Sequence, residues 1–262
     1  MKTPVRNYLT TIILFFALIF SANAQNQDLE FYQLKTYFLK NDNQEKTVDS
    51  YLKDAYLPAL KRAGIENVGV FKTISNDNSD SLKIYILIPF KSLEQFLTLD
   101  SMIAQDKSYV SAGANYINAK HDKAPYERIS STLMKAFTEM PVMQTSKVKG
   151  PRKNRVYELR SYESATEAIY QNKVDMFNAG GEVELFESLG FNAVFYAEVI
   201  SGDRMPNLMY MTTFENMESR DTHWDAFRTA PKWLKLKVEP KYQNNVSKAD
   251  IILLYPTEYS DY

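Results

Sequence analysis

Cysteine is absent from this chain of 262 residues, which excludes disulfides, thiolate nucleophiles, cysteine-ligated zinc and thiolate-held iron–sulfur clusters together. Histidine is nearly absent as well. With His121 and His223 alone, a multi-histidine metal centre is hard to build. Neither sign of charge dominates: 31 Lys+Arg stand against 32 Asp+Glu, and a net charge of -1 writes no affinity for nucleic acid or anionic membrane into the total. The chain also lacks a glycine-rich phosphate loop, a dinucleotide fingerprint and a Gly-x-Ser-x-Gly elbow. What it does have is globular composition, 45% hydrophobic and 13% aromatic, so its specificity must come from a site on a packed fold.

The longest apolar run stands at the start. Lys2 and Arg6 precede Leu9 to Phe20, and Ala22-Asn23-Ala24 follows as a small-x-small cleavage pattern. The run is shorter than the roughly 20 residues a spanning helix needs. Residues 1–24 therefore read as a signal peptide cleaved after Ala24, which predicts an exported chain, periplasmic or extracellular, with no stable membrane insertion after cleavage.

An internal repeat organises the rest. Phe31-Tyr-Gln-Leu-Lys-Thr-Tyr37 is echoed by Val156-Tyr-Glu-Leu-Arg-Ser-Tyr162 at an offset of 125 residues. Each copy continues with a helical segment ending at a glycine, Gly64 or Gly190, then an extended run (Ile65 to Ile74, Phe191 to Ile200) and a polar turn (Asn76 to Asp80, Ser201 to Arg204). A strand follows (Leu82 to Ile88, Asn207 to Thr213), then a second helix from Ser92 or Asn216, and a last apolar run (Leu133 to Phe137, Ile251 to Tyr255). Val48, Tyr51, Leu52, Ala55, Tyr56, Ala59, Leu60 and Ala63 paint one helix face, which Pro58 should kink. Ser92 and Gln95 have capping-box spacing. The predicted order is β-α-β-β-α-β twice: a first ferredoxin-like repeat over 25–140, a basic linker over 141–155, and a second repeat over 156–262. A four-stranded sheet with both helices on one face leaves the other face bare. The fold class is thus α+β, two tandem units packed sheet to sheet as an intrachain dimeric α+β barrel.

Tyr157-Glu-Leu-Arg-Ser-Tyr162, Met176-Phe-Asn-Ala-Gly-Gly-Glu182, Arg204 to Phe214 and Arg220-Asp-Thr-His-Trp-Asp-Ala-Phe227 resemble the NIPSNAP family, in an exported bacterial form. In the first repeat, Tyr56 to Gly64 and Val68-Gly-Val-Phe71 are similar to the same family. The resemblance implies the dimeric α+β barrel fold and no established reaction; the wider superfamily includes cofactor-free monooxygenases, heme proteins and plain ligand binders. One departure is Ala230-Pro-Lys-Trp233, where the family usually has an Asp-Pro-Glu-Trp-like segment.

Arg220, His223, Trp224 and Phe227 share one face of the second repeat's second helix, and Met217 extends it. The matched positions of the first repeat are Phe96, Leu99, Asp100 and Ile103, so the Arg–His feature is private to the second repeat. Arg220 could grip an anionic or carbonyl group and His223 could move a proton; alternatively Arg220 snorkels past Trp224 and His223 meets water. Gly180-Gly181 predicts a break in the preceding helix beside Glu182. Tyr196 and Tyr210 are candidates to line the same cavity. The expected ligand-binding set is Arg220, His223, Trp224, Tyr210, Tyr196 and Glu182, with Arg220 and His223 the catalytic candidates. No cofactor and no metal are expected. The expected partners are a small-molecule ligand and, in assembly, further copies of the chain, with no nucleic acid. Two functions stay open, a small-molecule binding or interaction module and a cofactor-independent monooxygenase or isomerase.

Overall fold

The computed structural model describes residues 29–74 and 82–262, so the expected signal peptide and the first repeat's polar turn lie outside the described residues. The first repeat forms β1 (Phe31–Leu39), β2 (Gly69–Thr73), β3 (Leu82–Phe90) and β4 (Arg128–Ala136); the second forms β5 (Val156–Glu163), β6 (Asn192–Ser201), β7 (Asn207–Phe214) and β8 (Lys248–Pro256). Helices α1 (Asp42–Tyr51), α2 (Leu57–Arg62), α3 (Leu93–Ile103), α4 (Lys107–Ala112) and α5 (Ala114–Ile117) belong to the first repeat. Helices α6 (Glu167–Phe177), α7 (Glu182–Ser188), α8 (Met217–Thr229) and α9 (Pro231–Leu236) belong to the second. None of the described helices is long and apolar enough to cross a membrane.

The eight strands close into a barrel in the order β1-β3-β2-β8-β5-β7-β6-β4. Within each repeat the order is that of the split βαβ unit, and the two sheets meet at their edges. β2 pairs antiparallel with β8, Phe71 facing Pro256, and β4 pairs with β6, Ala136 facing Ala197. Closure through hydrogen bonds satisfies edges that face-to-face packing alone would leave bare.

Strand alternation sorts the side chains into two cores. Tyr32, Leu34, Tyr157 and Leu159 point into the lumen, while Tyr37, Leu39 and Val156 point outward under the helices. At one pole the lumen is filled by rings: Phe71 lies 4.8 Å from Tyr157 and 5.7 Å from Tyr262, and Tyr32 lies 5.5 Å from Phe195. β4 begins at Arg128, well before the apolar run at Leu133. Its first half is polar because Ser131 faces outward to accept a bond from Gln33 at 2.7 Å, while Ser130 and Thr132 line a lumen cavity.

The repeat extends to the helix ends. Gly64 and Gly190 both sit at φ 77, a left-handed conformation that favours glycine. The next amides close the turns alike, Ile65 to the Leu60 carbonyl at 2.9 Å and Phe191 to Phe186 at 3.1 Å. Ser92 caps α3 and Asn216 caps α8, each accepting from the backbone N–H three residues on. Both repeats also interrupt the first helix at the same place, by different means. In the first, Pro58 lacks a donor and the chain takes a π turn over Leu52–Tyr56, the Leu57 N–H reaching Leu52. In the second, Gly181 at φ 77 starts α7, and a Cβ on Gly180 would come within 2.5 Å of the Met176 carbonyl oxygen.

Residues 137–155 hug the second repeat. Phe137 N–H donates to Tyr196 O and Gln144 N–H to Val194 O, both at 2.9 Å, and Met143 and Val148 are buried.

Candidate functional site

On β5, Glu158, Arg160 and Tyr162 alternate onto the helix-facing side. Glu158 is fully buried, a placement that ionised carboxylates tolerate only when paired and hydrogen-bonded. Its partners come from two elements. Oε1 accepts from Arg160 Nε at 2.5 Å; Oε2 accepts from Arg220 Nε at 2.5 Å and from Trp224 Nε1 at 2.9 Å. Arg220 also reaches Asp221 at 2.7 Å. The Arg160 guanidinium lies 3.7 Å from the Trp224 ring centroid, a desolvated cation–π contact, and donates to Tyr162 OH at 2.9 Å. Tyr162 OH in turn bonds Tyr210 OH at 2.9 Å. Burial opposes the charge on Arg160, yet Tyr210, Tyr162 and Glu158 hold its pKa above the ordinary arginine value. Burial pushes the Tyr210 and Tyr196 hydroxyls well above the usual tyrosine range.

A second buried ion pair adjoins the first. Lys173 of α6 donates from Nζ to Glu182 at 2.9 Å, and its ammonium lies 4.7 Å from the Phe177 ring and 5.8 Å from that of Tyr162. The helix break at Gly180 and Gly181 turns the chain so that Glu182, opening α7, comes back onto Lys173.

Of the six residues singled out in the sequence, Arg220, Trp224 and Tyr210 fall in one connected network. Glu182 belongs to the neighbouring ion pair. Tyr196 stacks on Tyr210 at 5.5 Å and 27°. His223 stands apart: its Nδ1 donates to the Ser219 carbonyl at 2.6 Å, and its ring is flanked by Phe191 and Phe214 at 5.5 and 5.6 Å. Arg220 turns to Glu158 instead of facing a cavity. Sequence reasoning missed Glu158, Arg160, Tyr162 and Lys173. The signal was the echo itself, which sets Glu158 opposite Gln33 and Lys173 opposite Val48. In the departing segment, Lys232 pairs with Glu184 at 2.6 Å and Trp233 packs 4.6 Å from Phe227.

Space opens beside this network. A cleft of about 290 Å³ lies between α7, the start of β6 and residues 139–147. Tyr196, Phe191 and Val183 line it from below, and Glu139, Glu187, Gln144, Asn192 and Lys147 supply polar groups. Among the described residues no group of three or more His, Asp or Glu side chains converges as a metal site.

Comparison with known proteins places this geometry. The chain is similar in structure to a proposed monooxygenase from Fusobacterium nucleatum, with TM-score 0.59 and 11% identity over 87% of this chain and 92% of that one. It is likewise similar to a proposed monooxygenase from Lactobacillus acidophilus, with TM-score 0.55 and 12% identity over 87% and 94% of the two chains. An anthrone oxidase-like protein follows with TM-score 0.50 and 14% identity over 88% and 92%. At these identities the likeness establishes the fold, a dimeric α+β barrel. No curated protein matches by sequence. The NIPSNAP family model matches residues 157–261, the repeat that holds both buried ion pairs and one side of the cleft. Over that repeat the chain is similar to the NIPSNAP family.

Proposed function

We propose that this protein is an exported small-molecule binding module whose ligand sits in the cleft beside α7, floored by Tyr196. The cleft carries the reading: a concave site of about 290 Å³, part aromatic floor and part carboxylate and amide rim, is the form small-ligand sites take. Val183, Phe191 and Tyr196 give the cleft an apolar floor that suits an apolar body, and Glu139 and Glu187 suit a donor or cationic substituent on it. Export rests on Lys2, Arg6, the Leu9 to Phe20 run and Ala22-Asn23-Ala24.

The structural neighbours described as monooxygenases keep an enzyme in view. Chemistry through Arg220 and His223 requires both to face a substrate, and here Arg220 is taken up by Glu158 and His223 Nδ1 by its own helix. The binding reading therefore stands ahead.

Native mass spectrometry of protein purified from its exported fraction, with ultraviolet–visible absorbance alongside, tests it. A retained organic mass is expected in the parent and lost in Ala193→Phe, which narrows the cleft, with thermal stability held. A ligand that survives Ala193→Phe and leaves with Arg220→Met would move the site into the charged network and overturn the assignment.

A further inference from the structure

The lumen of the barrel differs at its two poles. The pole around Phe71 and Tyr157 is solid with rings, as described above. At the other lies a cavity of about 180 Å³, lined from both repeats. Its floor is apolar, with Leu159, Val199, Met209 and Ile252. Above the floor sit the hydroxyls of Thr36, Ser130 and Thr132, which bond to no other described residue. Asn207 is 2% exposed and there bonds Ser161 through its Nδ2 at 2.9 Å, its second amide hydrogen bonding no other described residue. Tyr85 lines the wall, its hydroxyl pushed up to about 12 by burial. At the lip, Lys83 and Arg204 are matched by Asp203 and Asp250, and Arg204 is already clamped between Glu163 and Asp250.

We infer that this lumen cavity is a second ligand site, distinct from the cleft beside α7, which takes a small neutral amphiphile with its alkyl body on the Leu159–Met209 floor and a hydroxyl or amide head among Thr36, Ser130, Thr132 and Asn207. Three features select that class. An apolar floor gains from burying methylenes. Unengaged hydroxyls and an amide in one ring need a partner that both donates and accepts. A charge-balanced lip gives no net attraction to an ion, and an ion would lose hydration on entering. The space corresponds to about six waters at ~30 Å³ each, or a ligand of about eight to ten heavy atoms.

Methionine methyls separate this site from the cleft, because Met209 lines the lumen cavity and Met140 lines the cleft. In full-length mature protein labelled with [13C-methyl]methionine, titration with hexane-1,2-diol should shift the Met209 signal saturably and leave Met140 in place. A Kd on the order of 1–10 mM is expected for about eight heavy atoms. Ser130→Phe and, separately, Thr132→Leu fill the polar ring, and each should weaken the Met209 response at least tenfold while the remaining methyl spectrum stays folded. A Met140 shift alone, no saturable shift at either methyl, or a Met209 response unchanged in both variants overturns the lumen site. Tighter binding of hexanoate or hexylammonium than of the diol overturns the neutral class.

Discussion

The two repeats share a backbone plan and fill it with different chemistry. Under the first repeat's helices, Gln33 stands where the second has Glu158, Phe96 where it has Arg220, and Val48 where it has Lys173. Phe96 meets Phe90 edge to face at 5.4 Å, and Val48 is fully buried among hydrocarbon. One cation persists: Lys35, matching Arg160, lies 5.2 Å from the Tyr56 ring, its pKa lowered by burial and partly restored by Asp100. The same sheet-to-helix gap is thus closed once by packing and once by two internal ion pairs. Buried ion pairs of this kind are not needed for the fold, since desolvation offsets much of their attraction. They join β5 to α8, and α6 to α7, beside the cleft.

The largest break in that comparison comes from Glu158→Gln, which leaves Arg160 and Arg220 buried together without a carboxylate. A loss of about 3–5 kcal/mol is expected, against about 1 kcal/mol for the matched Gln33→Ala, both read from urea unfolding midpoints. Equal losses would mean that the charge adds nothing beyond an ordinary hydrogen bond. Lys173→Met should lose about 2–3 kcal/mol, less because Glu182 stays in the first turn of α7, where backbone amides favour a carboxylate. The double variant Lys173→Met with Glu182→Leu recreates the first repeat's apolar solution and should return to within about 1 kcal/mol of the parent. If the double falls further than the single, the pair contributes more than the packing that replaces it. Smallest and most even are Gly64→Ala and Gly190→Ala. Each forces a left-handed alanine, at about 1 kcal/mol, and the two should agree closely, because a Cβ at Gly64 meets nothing within 4 Å and one at Gly190 meets only His223, no closer than 3.6 Å. Thermal denaturation of the two variants checks this.

Most of the fold was legible because its determinants are local. The Phe31 and Val156 echoes, the glycines ending the first helices and the Ser92 cap each act over a few residues, and the barrel followed from asking what covers two bare sheet faces. The interior of the site was not local. Glu158 and Arg220 are 62 residues apart, and their meeting depends on how α8 registers against β5, which no spacing along the chain encodes. Arg220 on an apolar stripe is visible in the sequence, but its counter-charge, Glu158, lies inside the repeat motif, where it reads as part of the echo. The cleft was hidden for a related reason: residues 141–155, basic and rich in turn formers, have linker composition, yet Gln144 holds to Val194 and turns the segment into a wall.

Edge-to-edge closure between β2 and β8 and between β4 and β6 joins two halves of one polypeptide. A barrel made from two separate chains obeys mass action, and dilution below its dissociation constant opens it and erases any lumen. Here the covalent connection replaces that equilibrium with an intramolecular one, at an effective concentration set by the connecting segment. The lumen and the composite cleft therefore persist at any dilution, and the two halves are released from having to be identical.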